Sequence, residues 1–306
     1  MPVSDMAEKY EAQTREEICK VRDWLSKEDP ISIATHQKVD ADAAFSAALL
    51  QILRPHAALA FVRADAKITD NKCLAVDLCE GSRAVKGLGV GSAFGLVVEV
   101  MKDVDRPVYD ALRRWAKQLN LTDSGRQCND SVVLAELVSC WRSLKFNDAQ
   151  IVSRAKELIQ GKILSEKQTH DLKESAKSVS IVEGIAVVPK GVRVRAGHLF
   201  QCGAVAVIRQ SECGQSVMIS KKLLKNGASL TELAPLLPEG WFVHQQGFLA
   251  CFGSVKAPKD YRNSGIKLED FITIIKTWIM SHKLIETTMS GDITKADGVV
   301  QHRRVV

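Results

Sequence analysis

The sequence predicts an α/β protein, with an N-terminal domain built on a parallel sheet and a smaller C-terminal domain of mixed α/β character. Three observations predict this. Short apolar runs, ISIAT (31–35), ALAFVRA (58–64) and KCLAVDL (72–78), lie among stretches of helical periodicity, as the strands of a buried parallel sheet do. After about residue 165 the pattern changes to short strands separated by turn residues, closed by one strongly apolar helix. The length, 306 residues, suits two domains better than one.

Taken in order, residues 5–28 form an amphipathic helix with Tyr10, Ile18, Val21 and Leu25 on one face, stopped by Pro30. Strand 31–35 leads into a helix over 42–54 that carries Ala and Leu at helical spacing up to Arg54-Pro55. Strands 58–64 and 72–78 follow. Beyond a Gly-rich loop, helices are expected over 91–104, 107–121, 130–144 and 147–164, the last two preceded by an Asp or Asn able to cap them. This completes a first domain over 1–164. The polar stretch SEKQTHDLKESAKSV makes a helical linker over 165–180. In the second domain, 181–285, the runs IAVVPKGVRVRAGHLF, AVAVIRQ, QSVMISK, WFVHQQ and GFLACFG read as strands, and DFITIIKTWIMSHKLI (270–285) as a helix covering their sheet. A mobile tail is expected over 286–306.

Composition narrows the function. Apolar content of 46% and charged content of 25% are those of a globular protein, not of a disordered chain. No run is apolar for the roughly 20 residues of a membrane helix, so no membrane partner is expected. The acidic start, MPVSDMAEKYEAQTREE, lacks the apolar core of a secretory signal. The eight cysteines form no C-x-x-C pair, which argues against a zinc knuckle and for free thiols in the cytoplasm. A net charge of +6 tolerates a phosphate-rich partner without demanding one. The closing QHRRVV reads as a solvated basic tail rather than a nucleic-acid arm. Trp24, Trp115, Trp141, Trp241 and Trp278 sit in apolar patterns that suit core or interface packing, so an oligomer is compatible with the sequence.

Chemistry concentrates in ISIATHQKVDADAAFSAALLQIL (31–53), where His36, Asp40 and Asp42 make an H-x-x-x-D-x-D pattern between a strand and a helix. Sites in parallel sheets lie at the C-terminal ends of strands. Asp77, in LAVDLCEG, stands at another such end. An imidazole and several carboxylates together suit Mn²⁺ or a similar divalent ion, which polarises a phosphoryl group. An ordinary reading stays open: Asp42 capping the helix, Asp40 holding the turn, His36 a satisfied strand-end residue. Arg63 in FVRAD could clamp a phosphate or lie free on the surface. The amides of GLGVGSAFG, around Gly91 and Ser92, could cradle a phosphate at a helix start or form a plain tight turn. His198 and His244 could face a ligand in the second domain or be structural. No Ser–His–Asp or Cys–His constellation is legible, because such partners are found by geometry.

These residues carry a resemblance. ISIATHQKVDADAAFSAALL resembles the first motif of the DHH phosphoesterase superfamily. VRADAKITDNKCLAVDLCEG is similar to the second, a strand ending in one Asp. GVGSAFGLVVEVM is similar to the helix after the third, and LNLTDSG, with Asp123, to the fourth. LPEGWFVHQQGFLACFGS resembles the closing segment of the MYG-type exonuclease branch. The resemblance implies a phosphoesterase or nuclease acting on nucleic-acid or nucleotide phosphodiesters, with Mn or Mg held by His36, Asp40, Asp42, Asp77 and Asp123. On this reading Asp40 and Asp42 are candidate catalytic residues, Arg63, Gly91, Ser92 and His244 candidate ligand contacts, and the substrate is expected in a cleft between the domains. One departure stands out. The Asp-His-His motif should fall between Asp77 and Gly91, where this chain has CEGSRAVKGLGVG and no histidine. Lys86 then stands near the place of the missing ligands, where its ammonium could neutralise a phosphoryl oxygen as a catalytic group, or simply be solvated. A single ion remains possible at His36, Asp40, Asp42 and Asp77. The alternative is a degenerate protein that keeps the fold and binds a nucleotide, nucleic acid or protein partner.

Overall fold

The sheet nearest the N-terminus sets the frame for everything that follows. In a computed structural model of the chain, which describes residues 3–78, 84–130 and 133–293 and side chains over 8–78, 84–130 and 133–282, four strands run β1 (Ser32–His36), β2 (Ala58–Val62), β3 (Cys73–Val76) and β4 (Ala84–Val85). They lie in the order β2-β1-β3-β4, all parallel. The register sets Ile33 against Leu59 and Leu74. Buried parallel strands need apolar side chains on both faces, which is why β3 reads CLAV without alternation.

Helices supply the cover. α1 (Val3–Leu25) docks through Val21 and Trp24, and the Trp24 indole N–H donates to the carbonyls of Ser32 and Lys72, tying the helix to the starts of β1 and β3. α2 (Ala41–Leu53) is buried from Ala41 to Leu50. α3 (Ala93–Val104) and α4 (Arg106–Asp123) pack closely because Gly91 and Gly95 leave room for Asn120. A Cβ at Gly95 would stand 2.0 Å from the Asn120 Oδ1. α5 (Leu134–Ser143) and α6 (Asp148–Lys177) complete the set.

The chain divides into two units at Gln168 and Thr169. α6 is one continuous helix, so the polar stretch 165–177 is its last part rather than a separate element. The second unit holds β5 (Ile181–Val182), β6 (Ile185–Val188), α7 (Ala196–Gln201), β7 (Ala206–Ser211), β8 (Gly214–Ile219), α8 (Lys221–Lys225), β9 (Phe242–Val243), β10 (Leu249–Phe252) and α9 (Leu268–Ile293). Its six strands run β5-β6-β7-β8-β10-β9, with only β6–β7 parallel. The chain is therefore α/β, with a four-stranded parallel sheet followed by a mixed six-stranded one. One face of the second sheet packs Ala206, Ile208, Val217 and Ala250 against Phe271, Ile275 and Trp278 of α9. On the other face, Ala186, Val188 and Val207 meet Leu199 of α7.

Three local expectations are corrected. AGHLF is the helix α7, not strand, and buries His198. Asp130 does not cap α5: the N-cap is Val133, and the Asp130 carboxylate instead accepts from Arg114 and Gln118. Asp123 is the last residue of α4 rather than part of a following turn. Cys79 and residues 80–83, within the segment expected to hold the third motif, lie outside the described residues, as does the expected tail from 294 onward.

Candidate metal centre

β1 delivers His36 at its C-terminal end, and the chain turns through Gln37, Lys38 and Val39 before α2 begins. Lys38 adopts φ +56°, a left-handed conformation that few side chains favour. The turn is held from a distance. The Asp148 carboxylate, at the start of α6, accepts from the amides of Lys38 (2.8 Å) and Val39 (3.1 Å). The Arg142 guanidinium donates to the Val39 carbonyl and lies 3.4 Å from Asp148. Asp40 then caps α2, accepting from the Ala43 amide at 3.0 Å.

β3 delivers Asp77 one residue past its end, at φ +53°. Strain of this kind collects at functional sites and is tolerated best by Asp and Asn. The Asp77 amide donates to the Val85 carbonyl at 2.9 Å, which fixes the residue against β4. Its Oδ2 lies 3.1 Å from the Nε2 of His36, and the Oδ2 of Asp40 lies 3.7 Å from the same nitrogen. His36, Asp40 and Asp77 thus each offer one ligand atom within 4.8 Å of the others, and among the described residues they are the one such group of His, Cys, Asp and Glu donors.

The electrostatics follow from the geometry. The His36 pKa is raised to about 9, chiefly by the hydrogen bond to Asp77, with burial working the other way. Its Nδ1 sits 2.9 Å from the Gln37 carbonyl, to which it donates. Neutral His36 therefore turns its free Nε2 toward the two carboxylates, the orientation a metal-ligating histidine takes. Burial raises the Asp123 pKa, as do the charges of Asp77 and Asp40, while Lys86 lowers it. Asp123 belongs electrostatically to the same neighbourhood.

Lys86 follows β4, and its Nζ stands 3.6 Å from the second oxygen of Asp77. Glu17, nearly fully buried on α1, accepts from the amides of Lys86 (3.2 Å) and Gly87 (2.9 Å) and so fixes this loop. Glu17 and Asp148 escaped sequence reasoning. Glu17 is one of several acids on α1 and Asp148 stands at the start of α6, and nothing in either neighbourhood announces a distant loop as its partner.

Asp42 requires a correction. It is 2% exposed, and its two oxygens accept from the Ala93 and Phe94 amides at 2.7 Å each. It serves the unsatisfied N-terminus of α3 and is not among the clustered donors. Burial pushes its pKa well up, the Asp77 charge adds to this, and the two amides oppose it. The cause is that α2 begins at Ala41, which turns Asp42 inward to α3 while Asp40 stays at the open end. Ser92 is likewise corrected. Fully buried, it caps α3 by accepting from Gly95 and donates to Asn120 Oδ1 at 2.6 Å, so it has no face for a ligand. Gly91, at φ +112°, is spent on the approach to Asn120. Arg63 lies exposed in a two-bond pairing with Asp65, outside the cluster. His244, in the second unit, lies against Phe248 with ring centroids 4.2 Å apart and the planes tilted by 45°, and it accepts from the Gln246 amide.

The donor set fits one divalent cation: an imidazole nitrogen and carboxylate oxygens from three positions, His36 and Asp77 partly buried and Asp40 exposed. Asp42 is committed elsewhere, and an ammonium occupies the far side of Asp77. A cavity of about 420 Å³ opens beside the site, lined by Lys38, Asp40, Val138, Ser139 and Arg142 among others.

The sequence matches no family model, and none of the curated proteins is similar to it. Among solved structures, the chain is similar to the pGpG-specific phosphodiesterase PggH of Vibrio cholerae, at 13% identity and TM-score 0.27, over 84% of this chain and 99% of that one. It is similar to RecJ of Thermus thermophilus in complex with Mg²⁺, at 14% identity and TM-score 0.28, over 80% of this chain. The chain spans about half the length of that RecJ, 50%. It is also similar to the DHH domain of a member of a ribosomal protein family, at 10% identity and TM-score 0.31, over 88% of this chain and 91% of that domain.

Proposed function

We propose that the chain is a DHH-like phosphoesterase that works with a single divalent cation, Mn²⁺ or Mg²⁺, on a phosphodiester or nucleotide. The observation that carries this reading is the convergence of His36, Asp40 and Asp77 within 4.8 Å at the C-terminal ends of β1 and β3. Such an ion supplies Lewis-acid polarisation of a phosphoryl oxygen. The protein's own residues do the rest. His36, Asp40 and Asp77 hold the cation, and Gln37 fixes the imidazole through Nδ1. Lys86 sets a fixed positive charge beside Asp77, which would offset negative charge on a bound phosphoryl group. Asp123 is not among the clustered donors, and burial with the charges of Asp77 and Asp40 favours its protonated form. Lys38 gives the adjoining cavity a positive charge for the remainder of the substrate, while Arg142 is held in its pairing with Asp148.

A second reading has its own support. The Asp42 carboxylate is locked onto two amides, and Lys86 already partners Asp77. A site so arranged could bind a phosphorylated ligand without cleaving it. One experiment separates the two. Mn²⁺ is titrated calorimetrically into wild type and Asp77→Asn, and turnover of bis-p-nitrophenyl phosphate and of a dinucleotide is followed with and without EDTA. The enzyme reading expects binding at one site, a loss of at least about tenfold in affinity for the variant, and EDTA-sensitive turnover. Binding of Mn²⁺ without turnover moves the protein to the second reading. No Mn²⁺ binding ends the metal centre.

A further inference from the structure

The second unit carries a cavity whose lining includes none of the cation-cluster donors. It measures about 810 Å³, well within the range of small-molecule sites. Its floor is the side of the mixed sheet turned away from α9. The register sets Arg209 of β7 opposite Ser216 of β8, and Ser216 opposite Cys251 of β10, so the three side chains share one face, and all line the cavity. Its rim is the loop after β6, with Arg193 and Arg195.

The charges are unbalanced. Arg209 is half-buried and donates to the Val194 carbonyl, and it has no carboxylate partner among the described residues. Arg193 and Arg195 are exposed and likewise carry no ion pair among the described residues. The acid lining the cavity, Glu212, is neutralised by Lys190 at 2.7 Å. Burial alone lowers the Arg209 pKa, as expected where no anion stands nearby. A partly desolvated guanidinium without a counter-charge is costly, and its planar fork matches the oxygens of phosphate. Beside these cations the walls are apolar, with Val192, Val194 and Leu249. A cationic end and an apolar wall together describe a ligand with a phosphate at one end and a flat or apolar body at the other.

We propose that this cavity binds a phosphomonoester of nucleotide size, with the phosphate on Arg209, Arg193 and Arg195. The proposal is independent of the cation centre. Calorimetry of the full-length protein with AMP, in EDTA so that no divalent ion contributes, tests it. One AMP binds per chain, tighter than adenosine or inorganic phosphate. Arg209→Met weakens it at least tenfold. Because Arg209 also bonds to Val194 and its loss could disturb folding, the exposed pair Arg193→Ala with Arg195→Ala is measured alongside, and it weakens AMP at least fivefold with an unchanged melting temperature. Absence of AMP binding in EDTA overturns the proposal, as does equal affinity in the wild type and the Arg193/Arg195 variant. Inorganic phosphate binding as tightly as AMP overturns the nucleotide-sized ligand in favour of a bare anion site.

Discussion

His36 carries the clearest chemical signature of any single residue here. Its imidazole is shared between a carbonyl on one nitrogen and two carboxylates on the other, which lifts its pKa from 6.5 to about 9. Because the folded value lies above the unfolded one, His36 contributes stability to the ion-free protein that is complete below pH 6.5. That contribution fades as the pH rises through 9, and is on the order of 3 kcal/mol at most. A cation on Nε2 displaces the proton. Mn²⁺ affinity therefore rises between pH 6 and 9, and binding at pH 7 releases close to one proton. Calorimetry in buffers of different ionisation enthalpy reads the released proton directly, and binding without release would remove His36 from the ligand set. At this scale the sequence named three side chains that the fold brings together, His36, Asp40 and Asp77, because strand ends at the C-terminal edge of a parallel sheet project side chains to a common place. It misled at Asp42. Spacing says which residues are near in the chain, but not that the first turn of α3 would come to lie over that carboxylate with two amides in need of an acceptor.

Elements are positioned by a few buried polar contacts that cross between them. Glu17 joins α1 to the loop after β4 through two amides, and with it sets the place of Lys86. Glu17→Ala leaves two amides without their acceptor, at a cost of about 2–3 kcal/mol. A drop in melting temperature and, at permissive temperature, weaker turnover at unchanged Mn²⁺ affinity are the expected readouts. A variant as stable as wild type would show that water replaces the carboxylate. The α3–α4 contact is tested in the opposite direction. Gly95→Ala drives a methyl into Asn120 and is expected to destabilise by about 1–3 kcal/mol. In an Asn120→Ala background the same change meets free space and restores part of that stability through the better helix propensity of Ala. Denaturant melts of the four proteins give the coupling, and additive effects would disprove the close approach. Elements of this kind were legible where periodicity was long, as in α2, α4 and α9. They were missed where a short amphipathic run could be either strand or helix, as in AGHLF. The capacity of Asp130 to cap was real, but Arg114 and Gln118 from α4 offered stronger partners.

Among the described residues, separate hydrophobic clusters form on two different sheets, and α6 contributes to both, through Ile151, Ala155 and Ile159 on one side and Ala176 on the other. The change of character near residue 165 lies close to the point where the two units divide, and a parallel sheet and a mixed one demand different apolar patterns. The continuity of α6 through that point was not legible, since a polar stretch satisfies a solvated helix and a linker equally well. The division has a measurable consequence. A ligand that binds only the native state stabilises the cooperative unit that holds it, by an amount set by its concentration relative to Kd. At one hundred times Kd, Mn²⁺ adds about 2.7 kcal/mol. Hydrogen exchange of the full chain followed by mass spectrometry should therefore show slower exchange with Mn²⁺ across peptides of β1, α2 and β3. Peptides of β7, β8 and β10 keep their rates, because no donor of the cation cluster lies in their unit. Slowing in both sets would mean that the two units unfold together. Slowing in neither, at saturating Mn²⁺, would place the ion somewhere other than His36, Asp40 and Asp77.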